Sequence, residues 1–370
     1  MNPKSQYIMV LANSARMLVE AAYQAGFKPL AIDLFCDQDT RSYAADFLQV
    51  STMAEEDLFP AIDYFVSRYP VANAVCGSGF EQNSDCLKCI SDRLTLIGNQ
   101  PDVFAKLHNK PAFFALLQTL KIPFPTVAFS SPDKSEGWLV KPVYGQGGVG
   151  IRKYCEYSSY GYPVYWQKYQ AGEPHSVLFV ADGKRSQIIG FNRQWSISLN
   201  DKDPFIFSGI INDTRLTIRQ KAKIGCWLDK LVVALSLKGL NSLDFIQSGQ
   251  ISYVLEINPR PPASMQLYNA DLLIRHIKAC AGELLKYDPV QAEFTGYQVV
   301  YAPRNMQIPE GFQWPEGIVD LPNANTIIST GQPICSIITH ADAPESVLAK
   351  LQLRQELIIN QLNRFQTHGI

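Results

Sequence analysis

The chain has 370 residues, more than one small hydrophobic core needs and enough for two to four domains. Its residues are 46% hydrophobic and 18% charged with a formal net charge of -1, so composition gives no electrostatic footprint for nucleic acid or an anionic membrane, and a small-molecule partner is expected. No apolar stretch approaches the roughly 20 residues that span a bilayer, and the opening MNPKSQYIMVLAN reads as a buried strand rather than a signal peptide, which predicts a cytoplasmic protein.

The apolar run 6–12 is followed by SARMLVEAAYQAG, which has helical periodicity and stops at Gly26, and then by the strand KPLAIDLF, which ends in the turn Asp37-Gln38-Asp39. A helix over 55–69 and a strand over 71–77 continue the alternation, the pattern of a parallel, doubly wound sheet. The first turn is Ala12-Asn13-Ser14-Ala15, without GxGxxG, so the dinucleotide fingerprint is absent and a nicotinamide oxidoreductase is disfavoured. Of the eight cysteines only Cys86 and Cys89 form CxxC; they fall in an expected helix (84–93) with no second ligand pair, and read as small hydrophobes of a reduced protein.

A strand at 94–98 leads to a helix opened by Pro101, and Asn109-Lys110-Pro111 opens a second, amphipathic one. Pro123 and Pro125 mark a boundary. Beyond them short β-rich pieces predict a small α+β lid over about 126–190. A helix over 219–239, a hairpin over 242–257 and a helix near 268–284 follow. The tail alternates short strands with Pro/Gly turns and closes on a helix at 344–365.

Three stretches carry chemistry. In Lys141-Pro-Val-Tyr-Gly145-Gln-Gly147-Gly148-Val-Gly150 a strand-borne lysine precedes a glycine loop. Glycines let backbone N–H groups close on a polyphosphate and supply the positive φ of an anion nest, and the lysine adds a point charge. It is no Walker loop, because the lysine comes before the glycines. In SLDFIQSGQISYVLEINPRPP, Glu256 and Asn258 lie two apart on a strand and share a face. A three-residue turn over 248–250 would set residue 244 opposite 254 and bring Asp244 diagonally near Glu256, an oxygen set suited to magnesium. A two-residue turn would put Glu256 on the other face. Arg260, held among Pro259, Pro261 and Pro262, suits the oxygens of a transferring phosphoryl group or an acyl phosphate. In the third stretch, Tyr165 to Glu173, a strand running into an interdomain gap offers backbone groups to a base, and Glu173 is an acceptor for ribose hydroxyls.

In order, these pieces resemble the ATP-grasp superfamily from about residue 70 to 285. The resemblance implies an α/β protein with an N-terminal Rossmann-like parallel-sheet domain (1–100), a linker helix and lid (101–190), a C-terminal ATP-grasp subdomain with the metal hairpin (191–294) and a β-rich extension (295–370). It implies ATP and Mg2+, with Mn2+ an acceptable substitute. Lys110 and Lys141 with Gly145, Gly147, Gly148 and Gly150 would contact the phosphates. Gln167-Lys168-Tyr169 would form the hinge beside the base, with Gln167 standing where the family usually has an acid. Glu173 takes the ribose position, Arg193 is an extra phosphate contact, and Asp244, Glu256 and Asn258 are the metal ligands. Gly77-Ser-Gly79-Phe-Glu81, the EINPRPPAS turn and the tail resemble carboxylate–amine ligases acting around one-carbon carrier cofactors of the methanofuran and methanopterin type. That places Glu81 and Arg260 near the substrate and makes Arg260 and Lys141 the catalytic pair.

The expected activity is transfer of ATP's γ-phosphoryl group to a carboxylate, followed by attack of an amine on the acyl phosphate. The partners would be a small carboxylic acid and an amine, with no nucleic acid or membrane, in a monomer or a homodimer. The alternatives are a carboxylase that activates bicarbonate and a non-catalytic nucleotide-binding module. Intact Asp244, Glu256 and Asn258 argue against the module.

Overall fold

The computed structural model describes residues 6–81, 84–156, 158–200, 203–268, 271–287 and 293–367. Its N-terminal part runs β1 (Tyr7–Leu11), α1 (Arg16–Gln24), β2 (Lys28–Asp33), α2 (Gln38–Tyr43), β3 (Asp46–Gln49), α3 (Glu55–Arg68), β4 (Asn73–Cys76), α4 (Ser84–Arg93) and β5 (Thr95–Leu96). The strands pair in parallel in the order β3-β2-β1-β4-β5, and helices cover both faces. Strand alternation explains the layering. Met9 and Leu11 pack among α3 and α4 residues such as Ile62, Phe65 and Ile90, whereas Ile8 and Val10 pack with Leu18 and Val19 of α1. The acidic turn at 37–39 opens α2, and β3 follows it. Neither element has enough apolar periodicity to be read from sequence.

Helices α5 (Pro101–His108) and α6 (Lys110–Thr119) connect to β6 (Val127–Ala128), β7 (Trp138–Pro142), β8 (Arg152–Lys153) and β9 (Val164–Lys168). These four strands form a small antiparallel sheet in the order β6-β9-β7-β8. Then come β10 (Glu173–Asp182), β11 (Ser186–Ile197), β12 (Ile206–Ile211), α7 (Ile218–Leu235), β13 (Lys238–Ser248), β14 (Ile251–Asn258), a 3-10 turn (Ala263–Leu267) and α8 (Leu272–Cys280). A capping box fixes the start of α7, Thr217 and Gln220 each satisfying the other's backbone N–H. The last elements are β15 (Phe294–Tyr301), β16 (Met306–Gln307), β17 (Ile318–Val319), β18 (Ile327–Ile328), β19 (Pro333–Ala341) and α9 (Pro344–Thr367).

Two boundaries differ from those expected. The small sheet ends at Lys168, and β10 and β11, assigned to the lid up to residue 190, are interior strands of an eight-stranded sheet ordered β14-β13-β10-β11-β12-β15-β19-β17. Their near-continuous apolar inner face (Val177, Phe179, Phe191) packs on α7, which no two-layer lid could cover. The tail is also not a separate unit, since β15 pairs with β12 and carries β19 and β17 into the same sheet.

The tail is clamped to the N-terminal domain as well. Arg16, 2% exposed, donates from Nε to Asp320 at 2.9 Å, and the Asp39 carboxylate accepts from the N–H groups of Asp320 (2.7 Å) and Leu321 (3.0 Å). Among the described residues no helix is long and apolar enough to cross a membrane. Cys86 is buried, Cys89 is partly buried, and both are free thiols.

Candidate nucleotide and metal site

The hairpin β13–β14 settles the question of turn length in an unexpected way. Its turn has two residues: Ser248 faces Ile251, and Gln247 faces Ser252. Continued regularly, that register would send Glu256 to the wrong face. A β-bulge intervenes, so that Phe245 faces Val254 but Asp244 faces Glu256, and Ser242 faces Asn258. The expected pairing of 244 with 254 is therefore corrected, while the shared face is kept. On the free edge of β14 the Val254 N–H donates to the Pro123 carbonyl at 2.8 Å.

Asp244 and Glu256 are thus direct cross-strand neighbours. Burial, and then the Glu256 charge, push the Asp244 carboxyl up to about 7. Its Oδ2 accepts from Asn258 Nδ2 at 3.1 Å, while its Oδ1 is shut off from solvent with no hydrogen-bond partner. Two facing carboxylates, one with an orphaned buried oxygen, are a fit for a hard divalent cation. Among the described residues no three His, Cys, Asp or Glu side chains cluster for a metal, so a cation held here would draw further oxygens from outside that set, such as the Asn258 amide. Gln194 of β11 lies on the same face and acts on the Asp244 carboxyl, which sequence reasoning missed. A lone glutamine on a strand gives no signal until register is known.

The small sheet faces this pair. Lys141 pairs with Tyr165 across β7–β9, and Leu139 with Gln167, so these four share one face, opposite Val140 and Trp166. Lys141 is buried and donates from Nζ to Gln167 Oε1 at 3.3 Å. Burial lowers its pKa, and Glu256 and Asp244 act against that, which places the ammonium in the field of the carboxylates. Lys110, at the start of α6, acts on Tyr165 and His108. Asn109 caps that helix, its Oδ1 accepting from the Ala112 N–H at 3.1 Å. His108, which sequence reasoning also missed, meets Tyr144 of the glycine loop edge-on at 5.5 Å and has a buried Nδ1 with no partner.

Gly147, Gly148 and Gly150 have φ of +62°, +81° and +75°, whereas Gly145 does not have positive φ. The loop is pinned to the start of β12: Phe207 N–H donates to Gly147 O at 2.9 Å, and a Cβ on Gly148 would lie 1.9 Å from Phe205 O. Gly148→Ala is therefore expected to release the loop and weaken nucleotide binding by about tenfold or more, with a melting temperature close to that of the parent, because few buried side chains depend on the loop. Titration of ADP with magnesium against both proteins checks it, and equal affinities would refute the pinning.

Arg260, in the turn after β14, donates from Nε to Glu81 Oε1 at 2.5 Å, and Glu81 Oε2 accepts from the Gly79 N–H at 2.8 Å. Burial would raise the Glu81 pKa, but the Arg260 charge and hydrogen bond outweigh it and hold the carboxyl below its ordinary value. Asn99 holds the same turn, donating to Pro259 O at 3.0 Å and to Asn241 Oδ1 at 2.7 Å. Beside Glu81 a cavity of about 210 Å3 lies between the strand ends of the N-terminal domain (Asn13, Leu34, Gly79) and Gly145–Gln146 of the loop.

Four expected contacts are not brought to this cluster. Glu173 and Arg193 share the face of His175 and Phe245, away from Asp244. They are ion-paired to Arg215 (3.8 Å) and Asp213 (3.0 Å) instead. One residue of strand alternation decides this: on β11 it is Gln194, not Arg193, that shares the face of Asp244. At the hinge, Lys168 turns to the outer face, over the Trp138 ring and bonded to Glu136 O, and the Tyr169 side chain is 57% exposed. The N–H groups of both are taken by the carbonyls of Thr126 and Gly137.

Comparison with known proteins agrees with this architecture. The ATP-grasp domain family matches residues 107–264. An uncharacterized protein of Methanocaldococcus jannaschii is 22% identical over 264 residues, 66% of this chain and 61% of that protein, so the chain spans less than two thirds of its relative's length. The biotin carboxylase domain of the Hydrogenobacter thermophilus 2-oxoglutarate carboxylase, solved as a dimer with MgADP, ADP and bicarbonate, superposes with a TM-score of 0.74 at 15% identity, covering 94% of this chain and 89% of that one. The L-amino acid ligase of Bacillus licheniformis gives 0.68 at 14% identity, with 95% and 97% covered. An N5-carboxyaminoimidazole ribonucleotide synthetase with ADP gives 0.69 at 14%, with 98% of each chain covered. At such identities the superpositions speak for the fold. The ATP-grasp domain model thus matches residues 107–264, and the fold shared with these solved structures extends along nearly the whole chain.

Proposed function

We propose that the protein is an ATP- and magnesium-dependent ligase that activates a carboxylate as its acyl phosphate and joins it to an amine. The observation that carries the reading is the convergence of three sequence-distant elements. The buried Lys141 of the small sheet lies in the field of the Asp244/Glu256 pair, and the turn after that hairpin delivers Arg260 to Glu81. Lys110, Lys141 and the loop amides would hold the triphosphate. Asp244, Glu256 and Asn258 would hold the cation, which when bound neutralises phosphate charge. Arg260, anchored by Glu81, would steady the acyl-phosphate oxygens. The cavity suits the acid or the amine, being lined by Glu81, the partner of Arg260, and by Gly145 and Gln146 of the loop. That loop, in covering the cavity, would keep water from the acyl phosphate.

The finer assignment, to a one-carbon carrier cofactor pathway, draws support from the resemblance of Gly77–Glu81, the EINPRPPAS turn and the tail. Glutamate with candidate amines is the first substrate set to assay. ADP and phosphate should be released only when a suitable acid and amine are both present. ATP binding with no stimulation by any pair would favour the binding module. Stimulation by bicarbonate alone would favour the carboxylase.

A further inference from the structure

The Gln167 amide has a fixed orientation. Lys141 Nζ can only donate, so the oxygen Oε1 must face it, as it does at 3.3 Å. Nε2, with two N–H donors, then points away. The residue is 3% exposed, and Nε2 is buried without any hydrogen-bond partner. An unpartnered buried donor costs stability unless something absent from the protein accepts from it.

Its place in the fold says what that is. The carboxylate pair and Lys141 mark the phosphate end of the cleft. Gln167 lies on the same face of β9, two residues beyond Tyr165, or about 7 Å further along the strand. A nucleotide whose phosphates lie at Lys141 and whose base runs towards the hinge brings its purine edge to Nε2. The backbone N–H groups of Lys168 and Tyr169 are already bonded within the small sheet, whereas the buried Nε2 of Gln167 is a donor still open to the base. Guanine and hypoxanthine show two adjacent acceptors, O6 and N7, on that edge; adenine shows one acceptor, N7, beside a donor, N6.

We propose that Gln167 makes this site accept 6-oxopurine nucleotides at least as well as adenine nucleotides. The inference rests on the nucleotide site of the proposed function and concerns which base that site selects.

Isothermal titration with magnesium and ADP, GDP or IDP tests it; IDP isolates the 6-oxo group, because hypoxanthine has no 2-amino group. The parent protein should bind IDP as tightly as ADP or more so. Gln167→Glu keeps an acceptor for Lys141 and turns a second carboxylate oxygen towards the base, so it should move the ADP/IDP affinity ratio about tenfold or more in favour of ADP. Gln167→Leu should reduce discrimination without reversing it, which separates base reading from damage to the Lys141 contact. Tighter binding of ADP than of IDP by the parent would overturn the inference and leave the ligase reading standing. Failure of every purine diphosphate to bind would overturn both.

Discussion

Glu256→Gln is expected to lower magnesium-dependent turnover by about 10²- to 10³-fold while leaving the fold intact. The amide is nearly isosteric with the carboxylate and keeps one oxygen for the cation, but it removes a charge that no other described side chain on this face replaces beyond Asp244. The metal-free variant should melt at or above the parent temperature, since Asp244 and Glu256 face each other across the hairpin and repel without a cation between them. A glutamate with a purely structural role would show the reverse, lost stability with preserved rate. Magnesium titration of turnover, with thermal melts in chelator, reads both quantities. Activity within about threefold of the parent would remove Glu256 from the metal site.

The second large effect is on stability. Glu81→Ala leaves the Arg260 guanidinium nearly buried without its carboxylate, and removing one partner of such a pair costs about 3–5 kcal/mol. Glu81→Gln keeps an acceptor and should cost less. The pH dependence has a definite sign. The folded Glu81 carboxyl is held below its ordinary value of 4.5, so its contribution is fully present above that pH and is lost as pH falls through the lower, folded value. Urea unfolding of parent and variant from pH 7 to pH 3 should therefore show curves that converge on the acid side. A constant gap would mean that the pair does not titrate as a unit.

How much of this was legible beforehand depended on whether a feature was local. The lysine before the glycine loop, the E-x-N-x-R turn and the strand–helix alternation are written in neighbouring residues and could be read directly. The facing of Asp244 and Glu256 could not, because it depends on a bulge in β14 that only the observed register reveals. Glu173 and Arg193 were misplaced because side-chain direction along a strand reverses with each residue, and only the observed register selects Gln194 over its neighbour. The Arg260–Glu81 pair and the Asn99 contacts join segments far apart in sequence, which no periodicity records.

The pairing of β12 with β15 has a bearing on how the protein can be cut. In the full chain β12 lies inside the sheet, bonded on one side by β11 and on the other by β15. A fragment ending before residue 294 would look complete by its ATP-grasp residues, yet it would leave one side of β12 with open N–H and C=O groups beside the apolar Ile206, Ile210 and Ile211. Such an edge is a template for another copy's strand. The tail, in which no chemistry could be read, thus covers this side of β12.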